Sequence, residues 1–200
     1  MFPFFESIRY KNGVPENLVQ HQQRVNNTFN QFGANINIDL SEHIHSFDKK
    51  PALDNHLYKC RFQYDLTGKV NIEFEAYTIR KINSISFFDI GTLQYPFKFS
   101  DRGWIKEAIL SAGTDEIIMT QNEFIKDASY ANVVFFDGKN WITPLAPLLK
   151  GTRRASLLND KIIMEAPLQI KDIKHFESFK LINAMMLWEE SPLFGIENLV

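Results

Sequence analysis

The run "HLYKCRFQYDLTGKVNIEFEAYTIR", residues 56–80, alternates apolar and polar side chains on either side of Thr67-Gly68. Successive side chains of a strand point to opposite faces, so the pattern predicts two strands joined at that turn with one face buried. The segments around it complete a small α+β unit. Residues 2–10 read as an apolar strand closed by Asn12-Gly13, a pair suited to positive φ. Leu18, Gln22, Val25, Phe29 and Phe32 recur at helical spacing between Pro15 and Gly33. "SEHIHSFD", residues 41–48, predicts a short helix capped by Ser41. "SISFFDIG" adds a strand ending near Gly91, and "GTLQYP" then breaks the periodicity. That break divides the chain into an N-terminal domain of residues 1–94 and a C-terminal one of residues 95–200.

Beyond it the pattern is mixed. Trp104, Ile105, Ala108, Ile109 and Ala112 form a helical stripe that starts at Ser100 or Asp101 and stops at Gly113. Strands are expected at 116–119 and 132–136, and Asp137-Gly138 turns the chain into "WITP". A helix follows Gly151, and "KIIM" and "KLINAMM" read as closing strands.

Charge and composition exclude some functions. Twenty-two basic and 24 acidic side chains give a net charge of −2 without a long run of one sign. That argues against nucleic acid and polybasic membrane binding and for small molecules or protein partners. The single cysteine, Cys60, allows no internal disulfide, and "MFPFFESIRY" lacks the basic flank and long apolar core of a signal peptide. No apolar run approaches the ~20 residues that span a bilayer. The expectation is a cytoplasmic protein.

Several residues invite a chemical reading, and each has a plainer one. Lys98, between Phe97 and Phe99, is by default a lysine that snorkels its charge outward. Arg24 would be a solvated helix residue, and Asp127 a turn or cap residue. "LLKGTRR" would merely start a helix, although such an N-terminus also offers free N–H groups to an anion. His43 and His45 have no cysteine or carboxylate at ligand spacing, so no metal site is expected.

Together these stretches resemble the class IV aminotransferases, the pyridoxal-phosphate family that includes branched-chain and D-amino-acid aminotransferases and 4-amino-4-deoxychorismate lyase. Phe5-Glu6-Ser7-Ile8-Arg9 is similar to the family's "F-E-T/G-I-R", and His21-Gln22-Gln23-Arg24-Val25 to its "H-x-x-R-L". Lys98-Phe99-Ser100-Asp101-Arg102 resembles the lyases' lysine, two residues, Asn-Arg. Asp127 and Asn132 match an acidic residue five positions before an Asn that opens a strand. Thr143-Pro144 matches the family's "T-P", and Leu149 to Arg154 its "L-P-G-x-x-R". The sequence opens on the first of these motifs, without the leading strands that many relatives place before it and that can line the substrate pocket.

The resemblance implies a two-domain, D-amino-acid-aminotransferase-like fold, α+β then α/β, with the cofactor between the domains in a homodimer. It implies pyridoxal 5′-phosphate, a Schiff base on Lys98, and phosphate contacts from Arg24, Gly151 and Thr152. Asp127 would face the pyridine nitrogen, with Asp standing where most relatives have Glu. Asn183 and Ala184 match the lyases' "N-A-L" beside the cofactor, though Asn183 equally suits backbone groups of the closing strands. Arg61 is placed either toward the substrate carboxylate or in a structural salt bridge. The Lys-x-x-Asp-Arg and Asn-Ala segments favour a lyase reaction on a small amino substrate, with amino-acid transamination and a non-catalytic cofactor-binding subunit as alternatives.

Overall fold

The computed structural model describes residues 2–199, which divide into two compact units. The first comprises residues up to Ile79 together with Phe97–Asp101; the second comprises Arg80–Pro96 and the chain from Arg102 onward. The sequence reading instead places one boundary near residue 94. The difference arises because Phe97–Asp101 docks along the first strand: the Phe5 amide donates to the Lys98 carbonyl at 3.1 Å and the Ser100 amide to the Pro3 carbonyl at 2.8 Å.

In the first unit, β1 (Phe4–Lys11), β2 (Val14–Pro15), β3 (Leu57–Tyr64) and β4 (Val70–Ala76) form an antiparallel sheet in the order β2-β1-β3-β4. Two helices, α1 (Leu18–Gln31) and α2 (Leu40–Ser46), complete the layer structure. Phe4, Ile8 and Tyr10 of β1 join Cys60, Phe62 and Tyr64 of β3 and the Val25–Phe29 stripe of α1 in one apolar core. That burial drives the unit's folding, at about 25 cal/mol per Å² of apolar surface. Both helix starts in this unit differ from expectation, as does that of the helix expected from Ser100 or Asp101, which begins at Gly103 in the second unit. The α1 helix begins after Asn17, held in the left-handed region at φ 59°, rather than at Pro15. Asp39, not Ser41, caps α2, accepting from the Glu42 amide at 3.0 Å; a carboxylate also complements the dipole at a helix start.

The second unit contains β5 (Ile85–Asp89), α3 (Gly103–Ala112), β6 (Glu116–Gln121), β7 (Phe124–Ala128), β8 (Asn132–Phe136), β9 (Trp141–Pro144), α4 (Thr152–Asn159), β10 (Met164–Ala166), β11 (Ser178–Ile182) and β12 (Leu193–Gly195). Its sheet runs β10-β9-β8-β7-β6-β5, with β11 antiparallel to β8 and carrying β12. The β5–β6 and β9–β10 pairs are parallel. Asp127 lies within β7, not in a turn or cap, and pairs with Asn132, the single registered pair between β7 and β8. The strand expected at "KIIM" forms only from Met164, because Lys161 takes φ 58° as the chain leaves α4. "KLINAMM" is a strand only as far as Ile182.

Candidate active site

In the first unit, β1 presents alternate residues to opposite faces. Glu6, on the same face as Phe4 and Ile8, points at α1. There the Arg24 Nε donates to Glu6 Oε1 at 2.8 Å, Nη2 bonds Oε2, and His21 Nδ1 lies 2.5 Å from Oε2. Glu6 and His21 are fully buried. Burial alone would raise the Glu6 carboxyl; the Arg24 charge and the His21 bond overcome it and hold the group at about 2. Burial pushes the His21 imidazole below its ordinary range in spite of Glu6. The cluster is therefore an ionised Glu6–Arg24 pair with a neutral histidine donating from Nδ1. The Nε–Nη2 edge of the Arg24 guanidinium belongs to Glu6. Nη1 makes no bond to Glu6, and the side chain is 13% exposed.

The opposite face of the sheet carries Phe5 and Arg61. The Arg61 guanidinium lies over the Phe5 ring at 4.2 Å from its centroid, and the Lys98 Nζ lies over the same ring at 4.7 Å. Glu73 stands opposite Arg61 in the β3–β4 register, but its carboxylate accepts from Asn71 Nδ2 at 2.9 Å. Among the described residues no carboxylate pairs with Arg61. Of the two readings of Arg61, a structural salt bridge is not formed, and an aromatic ring holds the cation in place.

The second unit builds a buried carboxylate. Asp127 is 4% exposed. Its Oδ1 accepts from Asn132 Nδ2 at 2.6 Å and its Oδ2 from the Leu149 amide at 2.8 Å. Burial pushes the carboxyl up to about 6, partly offset by the Leu149 amide, Asn132 and the Arg154 charge. Each oxygen keeps a lone pair, so the carboxylate can still accept a proton-bearing ring nitrogen. Gly151 is the cap of α4, and buried Thr152 is its first residue. The first amides of a helix have no acceptor in the helix and suit a phosphate. Arg154 faces away from that task, bonded to the Pro144 carbonyl at 2.8 Å and to Glu165.

Asn183 donates to the Tyr130 carbonyl at 3.4 Å and accepts from the Met185 amide at 2.8 Å, with half-buried Ala184 between them. It supports the β7–β8 turn, in which the Ala128 amide donates to the Ala131 carbonyl. Sequence reasoning missed a second support of that turn. Fully buried Glu116 accepts from the Ser129 amide and hydroxyl, both at 2.9 Å, while Arg102 bonds the Ser129 carbonyl. No spacing signal marks Glu116, which reads as one polar residue at a strand start.

Comparison with known proteins follows the same pattern. The family model described as amino-transferase class IV matches residues 99–189. An uncharacterized protein of Haemophilus influenzae is 31% identical over 188 residues, covering 92% of this chain and 98% of that one. The solved structure of a protein of Haemophilus somnus 129pt, provisionally named 4-amino-4-deoxychorismate lyase, superposes with TM-score 0.85 at 29% identity, covering 92% of this chain and 97% of that chain. A Mesorhizobium loti protein, provisionally named an amino-acid aminotransferase, shares the fold over 100% of both chains, with TM-score 0.81 at 18% identity.

Proposed function

The chain belongs to the class IV aminotransferase family and is a pyridoxal-phosphate-dependent enzyme; we propose that its reaction releases pyruvate and 4-aminobenzoate from 4-amino-4-deoxychorismate. Each unit holds groups that suit the cofactor: in the first, a lysine amine on an aromatic platform and an arginine with a spare donor; in the second, helix-start amides and a buried carboxylate. When bound, the cofactor withdraws electrons from the amine-bearing carbon and acidifies its proton. Lys98 Nζ would be the amine that holds the cofactor and the base that takes that proton. Arg61 holds a substrate carboxylate, and the Phe5 ring keeps its guanidinium from swinging to Glu73. Arg24 Nη1 from the first unit, and the Gly151–Thr152 amides with the Thr152 hydroxyl from the second, would be the groups that hold the phosphate. Asp127 accepts from the ring nitrogen and keeps its proton in place, while Asn183 and Ala184 flank the cofactor. We take the working form to be a cytoplasmic homodimer, as the family resemblance implies.

The lyase reading needs a substrate that carries a carboxylate, and the Arg61 cation, held on Phe5 beside Lys98 without a carboxylate partner, is the observation that supplies a place for it. The resemblance of "KFSDR" and "NA" to the lyases supports it. Once Lys98 has taken the proton, the ring C–O bond breaks, the ring becomes aromatic, and the enolpyruvate that leaves takes up a proton to become pyruvate, so no keto acid is needed.

The test is to supply purified enzyme with 4-amino-4-deoxychorismate alone and to follow 4-aminobenzoate fluorescence and pyruvate together. Equimolar products, abolished in Lys98→Ala along with the visible cofactor band, are expected. Stoichiometric conversion of the cofactor to its pyridoxamine form by ordinary amino acids, with no 4-aminobenzoate, would establish a transaminase instead.

A further inference from the structure

Asn132 touches two parts of the second unit that have separate tasks. Its Nδ2 donates to Asp127 Oδ1 at 2.6 Å and to the Leu149 carbonyl at 2.9 Å. The Leu149 amide returns to Asp127 Oδ2 at 2.8 Å, closing a ring of three hydrogen bonds. Asn132 is 6% exposed, and its backbone pairs with Asp127 across β7–β8. Its other amide atom faces the cap of α4: a Cβ on Gly151 would stand 2.0 Å from Asn132 Oδ1 and 3.2 Å from its Cγ.

Gly151 has φ −68° and ψ 146°, an ordinary extended conformation open to any residue. Backbone freedom therefore does not call for a glycine here. The side chain of Asn132 does. It cannot rotate out of the way of a methyl group without breaking its bonds to Asp127 and Leu149, and a carboxylate losing a buried donor carries a desolvation penalty. We propose that Asn132 is a positioning residue that locks the Asp127 carboxylate to the Gly151 cap, so that the ring-nitrogen acceptor and the phosphate-binding amides are set by one side chain. The inference rests on the reading of Asp127 and Gly151–Thr152 given above. It adds that the two ends of the cofactor are held in one register by a residue that need touch neither.

The lock can be tested first without cofactor, by a double-mutant cycle in thermal unfolding of the full chain. Gly151→Ala alone is expected to lower Tm by several degrees. In the Asn132→Ala background the same change should cost almost nothing, because the next neighbour of the new Cβ is Arg154 Cβ at 3.9 Å. Additive effects would overturn the steric lock.

The second arm measures dissociation constants for pyridoxal phosphate and for inorganic phosphate as a competitor. Asn132→Ala is expected to weaken both about tenfold or more, and to shift the absorption maximum of bound cofactor in the same direction as Asp127→Asn, measured alongside it. A variant with lowered Tm but unchanged phosphate affinity and spectrum would reduce Asn132 to a purely structural residue and overturn the proposal. If the unmodified chain takes up no pyridoxal phosphate, the functional reading fails, and the proposed link falls with it; the stability cycle still reports the lock itself.

Discussion

Asp127 illustrates how much one side chain's surroundings decide. Burial raises its carboxyl to about 6, so the proton is held more tightly in the folded than in the unfolded chain. The stability this contributes is present below the ordinary carboxylate range and lost as pH rises through 6. Asp127→Asn should remove the loss: the difference in cofactor-free stability between variant and parent should grow in the variant's favour from about pH 4 to pH 7, by roughly 2 kcal/mol. Thermal melts across that range decide it, and a difference independent of pH would show Asp127 to be solvated. Arg61 makes a second prediction at this scale. Replacing it by Gln should raise KM by about tenfold or more with kcat little changed, whereas a fall in kcat alone would remove it from substrate binding. Neither environment was legible in the sequence. The family resemblance matched Asp127 and Asn132, but the Leu149 amide that completes their bonding comes from 22 residues away. Arg61 was open because the β3–β4 register that sets Glu73 opposite it, and the Asn71 bond that draws Glu73 aside, depend on tertiary pairing.

The α1 helix shows the same limit one level up. Its existence and its apolar face followed from three- and four-residue spacing, and α4 was placed by Gly151; the short β7 strand escaped notice because "FIKDA" alternates too briefly to register. What spacing could not reveal is that His21 and Arg24, a turn apart on α1, converge on Glu6 of β1. The pair is a buried ion pair, and removing one member leaves the other charge uncompensated. Glu6→Gln should therefore destabilise by about 3–5 kcal/mol in denaturant melts. Arg24→Ala should cost a similar amount, and Arg24→Lys is the variant in which lost phosphate affinity can be read without unfolding. Acid adds a check on Glu6: its carboxyl lies at about 2 in the folded chain against 4.5 ordinarily. The stability it provides is complete above the ordinary value and drains away as pH falls through about 2. A Glu6→Gln variant whose stability matched the parent at neutral pH would mean that Arg24 holds its place without a counter-charge.

For the molecule as a whole, fold class and the order of most elements were readable because apolar periodicity is local, whereas membership in a compact unit is not. The chain contributes Arg80–Pro96 to the second unit and then Phe97–Asp101 to the first. Nothing in the composition of "YPFKFSD" announces that it will dock on β1. Backbone bonds to Phe5 and Pro3 put it there. This return has a consequence for inheritance. A gene can be cut once and its halves exchanged with those of a relative only if each half carries everything its unit requires. Here a cut before residue 97 leaves the first unit without Lys98, and a cut after residue 101 burdens it with Arg80–Pro96, which includes β5 of the other sheet. Expression of residues 1–79 alone should give a chain that exposes the β1 edge and aggregates, while adding residues 80–101 should not restore a monomer, since β5 would lack its β6 neighbour; a soluble, folded 1–79 fragment seen by circular dichroism would show the units to be separable. Lys98 thus cannot be traded between lineages together with its own unit by a single crossover, and the two units are bound to evolve as a pair.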